Sequence, residues 1–286
     1  MATILVTGAT GAVGSRLVPR LLRWAGAQGS SVRVLVRDEA KARALAGLGA
    51  QVVVGDLREE ADRARALEGA DAVLNVAAAP RGVSDEAAWE VNRDAAVALG
   101  LEAAKAGVAR FVQTSTNLVY GRGLGRPAVE DDRLAPDPAW GAYAASKARA
   151  EEGLRALGGE LPLVVARLAF VYGEGDPHLA QSLRWAAGWP AHQRLAVVHH
   201  ADVARALWRA VATPGIEGQA YNVGDDAPLT AWDLHALNGH THPGGSPEAA
   251  AFDPWEGQVS TAAARRDLGW HPLFPSAWAA AEAGAL

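Results

Sequence analysis

Apolar residues fall in short solid runs separated by longer amphipathic stretches, and this rhythm holds through the first 170 residues. The runs predict strands at Ile4–Val6, Val32–Val36, Gln51–Val54, Ala72–Asn75, Phe111–Thr114 and Leu163–Arg167. The stretches between them predict helices near 12–25, 39–47, 59–67, 86–106 and 142–157. Runs this short and this apolar suit parallel strands covered by helices on both faces. The alternation therefore predicts an α/β fold, a doubly wound parallel sheet of the Rossmann type. After residue 170 the rhythm loosens. Segment 174–195 reads as loop plus a helix, 201–212 as a helix and 220–223 as one more strand. The stretch 238–257 is rich in Gly, Pro and His and reads as irregular. With no internal repeat, linker or low-complexity block, one compact body with a small C-terminal cap is expected.

Half of the 286 residues are apolar, enough for one large core. The net charge of −5 is scattered rather than blocked, which excludes the basic footprint of a nucleic-acid binder. There is no cysteine, which excludes disulfides, thiol nucleophiles and cysteine-ligated zinc and fits a cytoplasmic location. The opening residues carry no basic region followed by a long apolar one, and no run of about 18 apolar residues occurs. Neither a signal peptide nor a membrane span is expected. Of 27 basic residues only Lys41, Lys105 and Lys147 are lysines.

Ile4 to Gly14 reads as a strand, a glycine-rich turn and a helix start, with glycines at positions 8, 11 and 14. Gly8 permits a sharp turn, Gly11 lets the backbone approach a pyrophosphate, and Gly14 lets helix and strand pack closely. The helix N-terminus then offers free N–H groups to phosphate. Gly8, Thr10, Gly11, Ala12, Val13 and Gly14 are thus the candidate dinucleotide cradle. The second strand ends in Arg37, with Asp38 one residue beyond. An acid at that tip favours NAD, whereas arginine pairs with the 2′-phosphate of NADP. NADP is the expected cofactor, with NAD as the alternative and Arg16 as a second candidate cation.

Tyr143 and Lys147 stand four residues apart on a predicted helix, so their side chains share a face. A free phenol has a pKa near 10, and a neighbouring ammonium is expected to draw it toward the working range. In a chain with so few lysines, one placed four residues after one of only four tyrosines is informative.

Together these segments resemble the extended short-chain dehydrogenase/reductase family, the NAD-dependent epimerases, dehydratases and ketone reductases, over nearly the whole chain. Gly55-Asp56-Leu57 is similar to the family's adenine-side segment. Leu74 to Ala78 is similar to its fourth strand, with Asn75 where histidine is frequent, and Asn92 falls at a recurrent asparagine. Thr114 to Gly121 is similar to its S/T-x-x-V-Y-G stretch. Arg167 to Gly173, Val198 to Ala204, Tyr221 to Gly224 and Arg265 to Trp270 also align. The resemblance implies Thr116, Tyr143 and Lys147 as the catalytic set. Tyr143 would be the general acid or base, Lys147 would hold the nicotinamide ribose, and Thr116 would bond the substrate oxygen. It adds Asp56, Leu57, Ala77, Ala78, Thr114 and Phe170 to the cofactor contacts, together with Tyr143 and Lys147. It also implies a dinucleotide-binding domain over 1–167, to which 196–224 returns, with 168–195 and 225–286 forming a small substrate-side region.

Departures from the family pattern narrow the expectation. Asn117 and Leu118 follow Thr116 where sugar dehydratases carry acids. Leu168 and Phe170 replace a proline and an asparagine. The C-terminal portion leaves little chain for a nucleotide-diphosphate cradle, and it carries Trp185, Trp189, Trp232 and Trp255, which suit an apolar pocket. These features predict an oxidoreductase for a small, fairly apolar ketone or the matching alcohol. The competing readings are a nucleotide-sugar epimerase with tightly bound NAD and a non-catalytic dinucleotide sensor. No metal is expected, and His199, His200, His240 and His242 read as loop or core residues. The expected partner is a small-molecule substrate, with no nucleic acid and no membrane. The resemblance also implies a homodimer as one assembly.

Overall fold

A computed structural model describes residues 2–244 and 253–286. The elements β1 (Thr3–Thr7), α1 (Ala12–Ala27), β2 (Ser31–Val36), α2 (Glu39–Gly47), β3 (Gln51–Val54), α3 (Glu60–Leu67) and β4 (Ala72–Asn75) alternate in order. A long helical stretch follows: α4 (Asp85–Trp89), a π-helical turn at Glu90–Ala95, then α5 (Ala96–Lys105). After it come β5 (Arg110–Thr116), α6 (Ala142–Arg155) and β6 (Leu163–Leu168). The six predicted strands and five predicted helical stretches are all present, with ends moved by one or two residues.

The main sheet has seven parallel strands in the order β10-β6-β5-β4-β1-β2-β3, where β10 (Ala220–Val223) is the predicted late strand returning beside β6. Strand order reverses between β1 and β4, which pair Val6 with Leu74 and Thr7 with Asn75. At such a switch point the connections leave in opposite directions, so a crevice opens beyond the carboxyl ends of the strands. One face is covered by α1 and α9 (His200–Ala212), where Leu17, Val18 and Leu21 pack with Ala206, Leu207 and Ala210. On the other face Ala66, Leu99 and Leu154 pack over Leu5, Val73 and Phe111. Each such leucine contributes roughly 1.5–3 kcal/mol on burial, so the strand ends at the crevice are held on a rigid frame.

The remaining elements are short. They are β7 (Phe170–Tyr172), α7 (His178–Gln181), α8 (Leu183–Ala186), β8 (Arg194–Leu195), β9 (Val197–His199), β11 (Leu229–Thr230), α10 (Ala231–Leu237), α11 (Ala262–Leu268) and α12 (Ala277–Glu282). The helix expected within 174–195 is thus two single turns. β7 pairs with β9 and β8 with β11. They share a core of their own in which Tyr172, Leu179, Val197, Leu229, Leu234 and Ala277 are buried. Buried Asp202 fastens the C-terminal segment by accepting from the Leu273 and Phe274 main-chain N–H groups at 2.5 and 2.9 Å. Of the stretch expected to be irregular, 245–252 lie outside the described residues. Among the described residues no helix is long and apolar enough to cross a membrane.

Candidate active site

The glycine turn leads from β1 into α1 at the switch point. Gly8 has φ +66°, and a Cβ there would meet the Ala77 backbone at 2.6 Å. A Cβ on Gly14 would meet the Gly8 carbonyl at 2.2 Å. Gly11 differs: its Cβ would find only the Gly8 oxygen, at 3.3 Å, and would otherwise project into open space. Thr10, Gly11 and Ala12 are exposed there, and Val13 is half-buried. The 16-residue α1 has no side-chain cap and no acid in its first turn. Its first N–H groups are therefore orphan donors beside a surface kept free of side chains, and they fit a diphosphate. Arg16 turns away, donating to the Ala12 and Glu174 carbonyls.

Beyond β2, Arg37 is exposed, whereas Asp38 is committed to capping α2 and accepts from the Ala40 N–H at 2.9 Å. Asp56 is bound by Arg58, with the closest pair at 2.8 Å, and this pairing holds its carboxyl below the usual range against the opposing effect of burial. Leu57 is buried in the core. Ala77 is half-buried beside Gly8, its N–H on the Thr7 hydroxyl at 3.3 Å, and Ala78 is exposed.

β5 ends in Thr114, Ser115 and Thr116, all buried. Thr116 caps the turn 117–120 through Leu118 N–H, and the next side chain, Asn117, donates to the Gly257 carbonyl at 2.7 Å. Tyr143 lies in the first turn of α6, half-buried, with its phenol against the Thr116 hydroxyl. Lys147, one turn on, is buried and donates to the Thr114 carbonyl at 3.1 Å. The structure thus brings Thr114, Thr116, Tyr143 and Lys147 together. The electrostatics differ from the expectation. Burial raises the Tyr143 pKa, and the charge that opposes the rise is that of Arg81 rather than Lys147. The Lys147 ammonium is itself brought down to about 8 by burial, against the pull of Glu151. A buried site disfavours charge on either group, so the phenol stays protonated and able to donate.

Asn92 was legible only as a recurrent asparagine; its work is structural. It bonds both the N–H and the carbonyl of Ala79, at 2.8 and 3.1 Å, and donates to Ser146 on α6 at 3.2 Å. The loop after β4 is thereby tied to the helix bearing Tyr143. Glu151 is buried in an ion pair with Arg167, the closest atoms 2.7 Å apart, and Arg167 also donates to the Tyr120 hydroxyl at 2.6 Å. This network locks α6 onto β6.

Phe170, half-buried at the start of β7, meets His178 at 5.9 Å and Trp185 at 6.1 Å between ring centres. Trp185 packs against Trp189 with ring centres 4.6 Å apart and planes tilted by 49°. Trp232 is 54% exposed and is not part of this wall. His199 and His200 are core residues, while His240 is exposed. Among the described residues no three His, Cys, Asp or Glu side chains group as metal ligands. Sequence reasoning missed Arg81, Asp176 and His178. The sole signal for the last two was their adjacency across Pro177.

Residues 4–224 match the profile of the NAD dependent epimerase/dehydratase family. A 4-hydroxy-2-methyl-3-oxo-4-farnesyl-3,4-dihydroquinoline-1-oxide ketoreductase of Stigmatella aurantiaca is 30% identical over 235 residues, covering 78% of this chain and 68% of that one. The UDP-glucose 4-epimerase of Vibrio cholerae is 33% identical over 184 residues, 60% of this chain and 53% of the epimerase. The structure of dTDP-glucose 4,6-dehydratase from Streptomyces venezuelae with NAD bound superposes with a TM-score of 0.79 at 25% identity, covering 98% of this chain and 95% of that one.

Proposed function

The chain belongs to the NAD dependent epimerase/dehydratase family and is an NAD(P)-dependent enzyme of the extended short-chain dehydrogenase/reductase type; from that premise we propose that it is an NADP(H)-dependent oxidoreductase, reducing a small, largely apolar ketone or oxidising the matching alcohol. The observation that carries this reading is the Thr116–Tyr143–Lys147 grouping at the end of β5, with the Tyr143 phenol against the Thr116 hydroxyl. The bound nicotinamide cofactor supplies or accepts the hydride. Gly8, Gly11 and Gly14 with the start of α1 would hold its diphosphate, Asp56, Leu57, Ala77 and Ala78 would line its adenosine half, and Lys147, Thr114 and Phe170 its nicotinamide half. Tyr143 delivers its proton to the ketone oxygen, and Thr116 donates a hydrogen bond to the same oxygen and fixes its orientation.

Arg37 supports NADP over NAD, because its guanidinium is exposed while the acid beside it is spent on a helix cap. Asn117 supports a reductase over a dehydratase. No acid follows Thr116, and the amide that does is bonded to Gly257. The Phe170–Trp185–Trp189 wall supports an apolar substrate body. In this reading 1–167 with 196–224 hold the cofactor, while 168–195 and 225–286 form the substrate side.

Titration with NADPH and NADH, followed by a panel of alkyl and aryl ketones, tests the proposal. Tighter binding of NADPH and oxidation of it by at least one ketone are expected. Preference for NADH removes the NADP clause. NAD retained through purification with no ketone turned over favours the epimerase.

A further inference from the structure

Near the crevice, three neighbouring strands carry polar side chains on a sheet face that is otherwise apolar. Parallel register sets Thr7 of β1 beside Asn75 of β4, and Asn75 beside Gln113 of β5. The row is three strands wide, because the next partners outward are Leu35 on β2 and Val165 on β6. Two residues back along each strand, the same face carries Leu5, Val73 and Phe111. Thr7, Asn75 and Gln113 are at most 1% exposed. Polar groups buried this deeply cost stability unless each is paired.

They are paired, and in one direction. The Thr7 hydroxyl accepts from the Ala77 N–H at 3.3 Å and donates to Asn75 Oδ1 at 2.5 Å. Asn75 Nδ2 donates to Gln113 Oε1 at 2.7 Å, and Gln113 Nε2 donates to the Thr114 carbonyl at 2.8 Å. The two ends dictate this direction, since a backbone N–H can only donate and a carbonyl can only accept. Both side-chain amides are thereby held to one orientation. The carbonyl at the end of the chain is the one that accepts from the buried Lys147 ammonium, at 3.1 Å. A carbonyl oxygen has two lone pairs, and Gln113 and Lys147 take one each. At the other end stands Ala77, whose backbone a Cβ on Gly8 would meet at 2.6 Å. The chain runs from the glycine turn to the lysine.

We propose that Gln113 is a positioning residue for Lys147: oriented by Asn75 and Thr7, it fills one side of the Thr114 carbonyl and holds the ammonium to the other, in fixed relation to the glycine turn. The proposal rests on the reading of Lys147 as the lysine beside the nicotinamide ribose. Gln113 is itself buried and acts through the carbonyl. Two donors on one oxygen bring positive hydrogens together and weaken each other. Losing the amide therefore strengthens the ammonium's bond and favours its charged form. Burial lowers the Lys147 pKa to about 8, against Glu151, which lies one turn on in α6 and is paired with Arg167 of β6. Tyr143 stands one turn before it on the same helix, and β5 faces it with the uncharged Thr114 carbonyl.

The chain has three lysines, so carbon-13 labelling of lysine gives three side-chain signals, and Lys147→Met shows which is that of Lys147. Its titration is followed by NMR without added cofactor. Gln113→Met, close in volume but without a donor, should move the Lys147 midpoint up by at least about 0.5 pH unit. Thr7→Val breaks the chain at its far end and should move the midpoint the same way by about 0.2 pH unit, while Thr7→Ser should leave it at the parent value. Phe111→Leu loosens the same face of β5 without touching the row and should also leave it there. A midpoint that ignores Gln113→Met, or that Phe111→Leu moves equally, overturns the proposal. Should Gln113→Met not fold, Thr7→Val against Thr7→Ser decides, and equal midpoints overturn it. Saturation with NADPH and with NADH separates the two readings. If the Lys147 signal responds to the row variants but to neither dinucleotide, the positioning role stands and the placement of Lys147 at the nicotinamide ribose fails.

Discussion

The Lys147 ammonium donates to the Thr114 carbonyl over 3.1 Å, tying α6 to the end of β5 from a buried position. Its pKa is lowered from 10.5 to about 8 by burial. Between these values the unfolded chain holds a proton that the folded chain has released, so this group adds stability as pH rises from 8 to 10.5. Below about 8 the cost of the buried ammonium is present in full, at most about 3 kcal/mol. Lys147→Met should therefore be no less stable than the parent at pH 7 and should lose ground to it by pH 10, while turnover falls at least about 100-fold. Urea unfolding at the two pH values checks the sign.

Tyr143→Phe removes the proton donor but leaves the glycine turn untouched. A general acid contributes about 10²–10⁴ in rate, so kcat should fall by that amount while the NADPH dissociation constant changes by less than about threefold. Because burial raises the phenol's pKa, ketone reduction should not decline on its account between pH 6 and 9. A steep fall in kcat across that range would assign the proton to another group.

The strands and helices of the first 170 residues were readable because nearly all of them bury a face, and burial writes its pattern into the sequence. After Phe170 the helix over 201–212 and the strand over 220–223 were readable too, whereas strands of two or three residues such as Arg194–Leu195 and Val197–His199 carry no period. The 86–106 stretch read as one helix, and nothing in its pattern marks the π-helical turn at Glu90–Ala95 from which Asn92 reaches Ala79. Tyr143 and Lys147 were found by spacing, but their electrostatics depend on burial and on Arg81, 62 positions before the tyrosine. Sequence distance hides such a pairing. The Asp176–His178–His200 cluster was hidden likewise, since it joins α9 to a loop.

Arg37 and Asp38 are neighbours with separable effects. Arg37→Asp should weaken NADPH binding about 10- to 100-fold and spare or improve NADH, because only the former offers a 2′-phosphate to the guanidinium. Asp38→Ala removes the cap on Ala40 N–H and Lys41 N–H, so it should cost about 1 kcal/mol of stability and leave cofactor preference unchanged. Paired fluorescence titrations and thermal melts on both variants read the two outcomes. An equal loss for NADPH and NADH in Arg37→Asp would remove the phosphate-pairing assignment.

The glycine turn allows a sharper test, because Gly11 and Gly14 serve different purposes at nearly the same place. A Cβ on Gly14 would lie 2.2 Å from the Gly8 oxygen and 2.7 Å from the Ala9 Cα, both backbone atoms. Gly14→Ala must push α1 off β1 and should lower the melting temperature by at least about 5 °C. Gly11 has φ −79° and ψ 178°, an extended conformation open to any residue, and its Cβ would contact only the Gly8 oxygen, at 3.3 Å. Alanine is the poorer helix cap but limits the unfolded chain, and the two effects partly offset, so stability should stay within about 1 kcal/mol of the parent. The added methyl nevertheless stands where a diphosphate must approach the first N–H groups of α1. Gly11→Ala should keep its melting temperature while its affinity for NADPH and for NADH falls at least about tenfold. Unaltered binding of both would mean that the turn is not the cofactor's cradle.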